Sequence, residues 1–101
     1  MQVNEIQKHL IDLGTNANDI ADRLNQLHCR GHVINPGKCP IAHFIRRLLG
    51  DTLTDNTSII VGPTQIKIRD MDKVDEVLLP VAIQQFILKF DTKAYPQLVW
   101  N

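Results

Sequence analysis

The chain has 101 residues, of which 44% are apolar, and this is enough for one small domain with its own core. Its 11 Lys and Arg residues balance its 11 Asp and Glu residues, which argues against a dedicated non-specific nucleic-acid binder, because such proteins carry a basic surplus. No apolar run reaches the ~20 residues of a membrane span, and the acidic N-terminal stretch does not resemble a signal peptide. We therefore expect a single cytoplasmic domain over residues 1–101.

The first 30 residues or so predict a pair of helices. Apolar residues recur at helical spacing from Val3 to Leu13 and again from Ala17 to Leu27. Asn16 is expected to cap the second helix through its side-chain oxygen, and Gly31 is expected to end it.

A third helix follows a turn at Asn35-Pro36-Gly37, in which Gly37 is expected to supply a positive φ. The helix should begin at Cys39-Pro40, because proline is favoured at the first helical position, and it should end at Gly50. Its Cys39, His43 and Arg46 share one sector at 100° per residue, opposite the apolar stripe, with Arg47 beside them.

The pattern then changes to that of strands. Ser58–Val61 is compact and β-branched, as in a buried strand, and Gln65–Arg69 alternates between apolar and charged residues. Asp70–Asp75 is expected to be a charged connection, and Glu76–Leu79 a third short strand. Together they predict an antiparallel meander of two or three strands.

A last helix is expected to start at Pro80, at or near its first position, with an apolar stripe that includes Phe86 and Phe90. The apolar tail from Tyr95 to Trp100 should pack back on the domain or cover a partner's surface. The predicted fold class is α+β: three N-terminal helices, a small antiparallel β-meander, and a C-terminal helix packed on it.

Three interpretations of the third helix remain open. As a nucleophile, Cys39 would be activated by the helix N-terminus and its cationic flank, with His43 as its base, but no orienting third residue can be identified. As a zinc module, Cys29, His32, Cys39 and His43 offer four ligands, although their spacing matches no common zinc motif. In the third interpretation both cysteines are structural, and the histidines are ordinary polar residues of the surface.

The order of elements also matches a winged helix-turn-helix, with Cys39–Leu49 as recognition helix and Gly62-Pro63-Thr64 as wing tip. Two features disagree with a DNA-binding protein of this kind. The connection from Gly31 to Lys38 is longer than the tight turn of that motif, and the reading face offers only three basic side chains, those of His43, Arg46 and Arg47.

Several short motifs resemble a group of small uncharacterised bacterial proteins, in which a Cys-Pro helix start and a Leu-Pro helix ending in Phe-Asp and Tyr-Pro recur. The resemblance extends from about Ala17 to Val99 and implies a self-standing bacterial domain, with no activity that can be transferred. The segments that carry it are Gly31, Cys39-Pro40-Ile41-Ala42, Val61-Gly62-Pro63, Leu79-Pro80-Val81-Ala82, Phe86, Phe90-Asp91 and Tyr95-Pro96-Gln97-Leu98.

The sequence contains no phosphate-binding loop, paired catalytic carboxylates or complete triad. We therefore expect a non-enzymatic interaction or accessory module, without a cofactor or metal, whose partner is a protein or a second copy of the chain. Nucleic acid and membrane are not expected as partners. The contact residues are expected to be His43, Arg46, Arg47, Tyr95 and Trp100.

Overall fold

The computed structural model describes residues 3–35, 37–50, 53–54 and 56–99, and it confirms the predicted α+β architecture. Helices α1, α2 and α3 are followed by a three-stranded sheet, helix α4 and a short 3₁₀ helix. None of the helices in this part of the chain is long and apolar enough to cross a bilayer. The bounds are α1 Val3–Ile11, α2 Ala17–Gln26, α3 Pro40–Leu49, β1 Thr57–Val61, β2 Gln65–Asp70, β3 Lys73–Leu78, α4 Val81–Asp91 and the 3₁₀ helix Pro96–Leu98.

The sheet is an antiparallel meander in the order β1-β2-β3, and helices cover one of its faces. Ile66 and Ile68 point into the core from β2, while Lys67 and Arg69 point to solvent, as the alternation predicts. The compact run of β1 is buried on one side only: Ile59 and Val61 face the core, whereas Ile60 lies on the uncovered face and is 49% exposed.

The third strand begins earlier than the sequence predicts. Residues 70–75 were expected to form a connection, but β3 starts at Lys73, and a two-residue turn joins it to β2. Met71, the first residue of that turn, has a φ of 55°, a conformation that usually falls to glycine in such hairpins. Charged residues conceal the strand, since Lys73, Asp75 and Glu76 replace the alternating apolar residues that would mark it.

Helix α4 lies against α2, and its predicted stripe is confirmed. Its phenylalanine rings, Phe86 and Phe90, lie 6.0 Å apart at the centre of the core. Pro80 is the N-cap residue and not the first helical residue, because its carbonyl accepts the first helical hydrogen bond, from the N–H of Gln84 at 3.1 Å. The buried stripe consists of Leu79, Ile83, Phe86, Ile87 and Phe90.

The tail packs back on the domain, which was one of the two expectations for it. Tyr95 and Leu98 are buried, and the Tyr95 ring stacks on that of Phe86 with 5.4 Å between centroids. The Tyr95 hydroxyl donates a hydrogen bond of 2.8 Å to Oδ1 of Asn18 in α2. Leu98 accepts a hydrogen bond of 2.9 Å from the N–H of Gly31, so the tail also holds the segment that leads into α3.

Candidate functional site

The end of α2 positions the first part of the site. The N–H of His28 bonds to Asn25 O at 3.1 Å and that of Cys29 to Leu24 O at 2.9 Å, the paired bonds of a Schellman motif. His28 takes the left-handed position of this motif with a φ of 57°. The prediction that Gly31 ends the helix is therefore wrong.

Gly31 has a different role, which is a close approach between backbones. A Cβ atom at this position would lie 2.2 Å from Lys38 O and 2.5 Å from the carbonyl carbon of Cys39, too close for any side chain. Next to it, the N–H of His32 donates to Lys38 O at 2.7 Å. These contacts close the base of a loop, residues 32–38, immediately before α3.

The loop presents an apolar side chain to solvent. Ile34 is 77% exposed and has a φ of 56°, which is unfavourable for a β-branched residue. Its N–H donates to Oδ1 of Asp91 in α4 at 3.1 Å, which holds the strained residue in place. The turn predicted at Asn35-Pro36-Gly37 includes Pro36, which lies outside the described residues.

Two arginines of α3 bind backbone carbonyls around this loop. Arg46 donates from Nη2 to Gly37 O at 2.7 Å. Arg47 donates to Leu27 O and to His28 O, the carbonyls at the C-terminus of α2, where a positive charge also favours the helix dipole. Both arginine side chains remain exposed, so each guanidinium is oriented by the fold while further N–H donors face solvent.

His43 lies half-buried between these groups. Its Nδ1 accepts a hydrogen bond of 3.1 Å from the N–H of Arg30. Burial lowers the pKa of His43 below its ordinary value of 6.5; the Arg30 carbonyl oxygen, 3.2 Å from Nδ1, favours the charged ring and opposes this, and the charges of Arg47 and Arg46 add to the lowering. The neutral ring therefore accepts a hydrogen bond that holds the backbone of Arg30, in the segment that follows α2.

The expectation that Cys39 has a lowered pKa is wrong. The residue caps α3 and its Sγ accepts from the N–H of Ala42 at 3.4 Å, but the side chain is buried and does not share the exposed face of Arg46. Burial is the largest influence and raises the pKa of Cys39 above 9.0, against the helix N-terminal hydrogen bonds, with the charge of Asp91 raising it further. Burial likewise raises the pKa of Cys29. Both thiols are free and buried.

No metal-binding group forms in the described ranges. The four residues of the zinc interpretation are Cys29, His32, Cys39 and His43, yet no three His, Cys, Asp or Glu side chains there are arranged to hold an ion. Of the remaining predicted contact residues, Tyr95 is only 6% exposed and belongs to the core. Trp100 lies outside the described residues.

One signal in the sequence was missed. Between Asp22 and Asp51 the chain has no acidic residue at all, although its overall charge is zero. The fold gathers four cations of this segment around the loop, and we call Arg30, Lys38, Arg46 and Arg47 the basic face. In the described part of the chain, none of the four forms an ion pair with a carboxylate.

No protein-family model, curated protein or solved structure matches the chain.

Proposed function

We propose that this chain is a non-enzymatic interaction module of the bacterial cytoplasm, which contacts a partner protein or a second copy of itself through the basic face. The observation that carries the proposal is a set of oriented cations without carboxylate partners in the described chain. In an ordinary surface, charges of both signs are interspersed. Cations that lack carboxylate partners within the described chain favour an external partner of opposite charge.

A binding role is supported over catalysis by what the reactive side chains do. Cys39 is the only candidate nucleophile that the sequence singled out, and its thiol is buried with a raised pKa. His43, its candidate base, uses Nδ1 to accept a hydrogen bond from the backbone N–H of Arg30. Both groups are thus used to build the segment that carries the basic face.

The winged-helix alternative has less support. A DNA-binding domain of this type inserts its third helix into the major groove and places cations at the wing tip on the phosphates. The β1–β2 turn, Gly62–Thr64, contains no Lys or Arg. Arg46 and Arg47 are also turned towards the carbonyls of the preceding loop and of α2. Protein is therefore the partner class we propose.

The proposal is tested by photo-crosslinking in the native host. A photoreactive amino acid replaces Lys38, whose side chain is exposed on the basic face, or Lys67, which is exposed on the uncovered face of the sheet. Discrete protein adducts are expected from position 38 and not from position 67. Equal adducts from both positions, or none from position 38, would refute a dedicated interaction through this face.

The mass of the adduct separates the two forms of the proposal. An adduct of twice the chain mass identifies a second copy, and any other discrete mass identifies a partner protein. Light scattering of the purified chain at high concentration provides the independent check. A monomer mass under all conditions eliminates self-association and leaves the partner protein.

A further inference from the structure

We infer that the basic face recognises a carboxylate-rich polypeptide segment that also carries an apolar side chain. This inference rests on the proposed interaction function and specifies the chemistry of its partner. It depends on three features: the anchoring of the guanidiniums, the unsatisfied donor of Arg30, and the exposed Ile34, which lies in the same loop as Lys38.

The anchored arginines are prepared for carboxylates. Arg46 bonds to Gly37 O at 2.7 Å and Arg47 to carbonyls at the end of α2. A guanidinium has five N–H donors in a planar fork, so one or two bonds to backbone carbonyls orient the group and leave donors for a ligand. Orientation before binding reduces the entropy that is lost when a carboxylate arrives.

Arg30 adds a donor that the described residues do not satisfy. Its backbone N–H bonds to His43, but its side-chain Nε is buried without a hydrogen-bond partner. Buried N–H donors are nearly always paired in folded proteins. Because the surrounding protein encloses this Nε, an external carboxylate can satisfy it only if the Arg30 side chain turns outward on binding.

Ile34 favours a polypeptide over a nucleic acid. It lies in the same loop as Lys38 and is 77% exposed, and the bond to Asp91 keeps its backbone in an unfavourable conformation. Strained residues persist where the surrounding structure holds them, and they are common at binding sites. A phosphate backbone offers little for an isoleucine to pack against, whereas an apolar side chain within an acidic segment does.

A second copy of the chain is a poorer match for the same surface. Its densest acidic stretch, residues 70–76, also contains Lys73, and this lysine forms an ion pair with Asp75 at 3.7 Å. In α2, Asp19 already accepts a hydrogen bond from the Asn16 side chain. An acidic segment without interspersed cations is therefore the occupant that we infer.

The experiment measures fluorescence anisotropy of labelled probes with the full chain. The probes are a short Asp/Glu-rich peptide with one central Leu, the same peptide with every acid changed to its amide, the same peptide with Leu changed to Ser, and a mixed-sequence DNA duplex. The test variant is Lys38→Gln with Arg46→Gln. The control is Lys67→Gln with Arg69→Gln, which removes the same charge from the uncovered face of the sheet.

Five results are expected from these probes and variants. The acidic peptide binds the wild type. The test variant raises its Kd by about tenfold, and the control variant keeps the Kd within about twofold of the wild-type value. The amide peptide does not bind, and the Ser peptide binds more weakly than the Leu peptide. The Kd of the acidic peptide is also measured for Lys38→Glu and is expected to rise. This variant should fold normally, because the Lys38 side chain makes no described bond that folding needs.

Other results would overturn the inference. Equal losses in the test and control variants would show non-specific charge attraction, and tighter binding of DNA than of the acidic peptide would assign the face to nucleic acid. No binding of the acidic peptide, together with crosslinks from position 38, would refute this partner chemistry and leave the interaction function standing. Absence of both would refute the two together.

Discussion

The basic face and the uncovered face of the sheet are both charged, but their charges are arranged differently. On the sheet, the strand register places Lys67 directly opposite Glu76, so charges of opposite sign are neighbours. On the basic face, Arg46 and Arg47 bind backbone carbonyls, and no described carboxylate pairs with them. A net charge of zero therefore conceals one surface where a cation has an acidic neighbour and one where the cations have no described carboxylate partner.

The difference also concerns what each cation does for the fold. The exposed lysines of the sheet can be removed at little cost, since exposed ion pairs contribute less than about 1 kcal/mol. The arginines of α3 connect that helix to the end of α2 and to the loop of residues 32–38. The lysines of the sheet are thus solvated side chains, whereas the arginines of the basic face also hold α3, the end of α2 and the loop together.

The largest expected effect on stability comes from a substitution at the base of the loop that carries Lys38 of the basic face. Gly31→Ala places a Cβ atom 2.2 Å from Lys38 O, so the backbones must separate and the loop loses its closure. We expect the free energy of unfolding to fall by about 3 kcal/mol, measured by urea denaturation. Gly37→Ala is the control within the same loop, because its Cβ would meet nothing closer than 3.8 Å. Similar losses in the two variants would contradict the close packing at Gly31.

A smaller effect is expected when Arg47 of the basic face is compared with Lys73, an exposed cation of β3. Arg47→Gln removes the hydrogen bonds to Leu27 O and His28 O and the charge at the α2 C-terminus, so we expect a loss of about 1 kcal/mol in unfolding free energy. Lys73→Gln removes only the exposed pair with Asp75 and should cost about 0.3 kcal/mol. Thermal and urea unfolding of both variants measures the difference. An equal cost would mean that Arg47 does not support α2.

The smallest expected effect is a pH dependence of the unfolding free energy that comes from His43, which packs between the groups of the basic face. The folded-state pKa of His43 lies below 6.5, mainly because the ring is buried. Above pH 6.5 the ring is neutral in both states and its contribution is complete; as the pH falls through 6.5 towards the folded-state pKa, the unfolded chain binds the proton first and stability decreases. Urea unfolding of the wild type between about pH 8 and about pH 5 should show this decrease.

His43→Gln provides the control for that prediction, because its amide oxygen can still accept from the N–H of Arg30 but does not titrate. Its stability should depend less on pH over the same interval. The strands contain no histidine, so variants of the sheet, such as Lys67→Gln, should keep the pH dependence of the wild type. A His43→Gln profile identical to that of the wild type would assign the acid sensitivity to another group.

Local patterns were sufficient for most of the helices. Asn16 caps α2 by accepting from the N–H of Asp19 at 2.9 Å, and Pro40 begins α3 behind its cap residue, both as predicted. These features depend on residues within one turn of each other, so the sequence contains them in full. The start of β3 was missed because its charged residues pair across the hairpin, and that pairing is not a local property of the strand.

The candidate site was predicted only in part. Arg46 and Arg47 were identified from their helical position, but Arg30 and Lys38 were not, because no periodic pattern relates a loop residue to a helix. The absence of acidic residues between Asp22 and Asp51 was the signal that could have revealed the segment. Even so, charge along the chain does not show which side chains meet in space.

By itself, the sequence determined the helices, the meander and the apolar stripes, since periods of 3.6 and 2 residues decide which faces are buried. Tertiary structure alone decided that Cys39 is buried, that Tyr95 joins the core and that Ile34 is held by Asp91. These outcomes depend on contacts between residues that are far apart in the chain, such as Tyr95 and Asn18. Such contacts are set by how the elements pack against each other, and packing is a property of the whole fold.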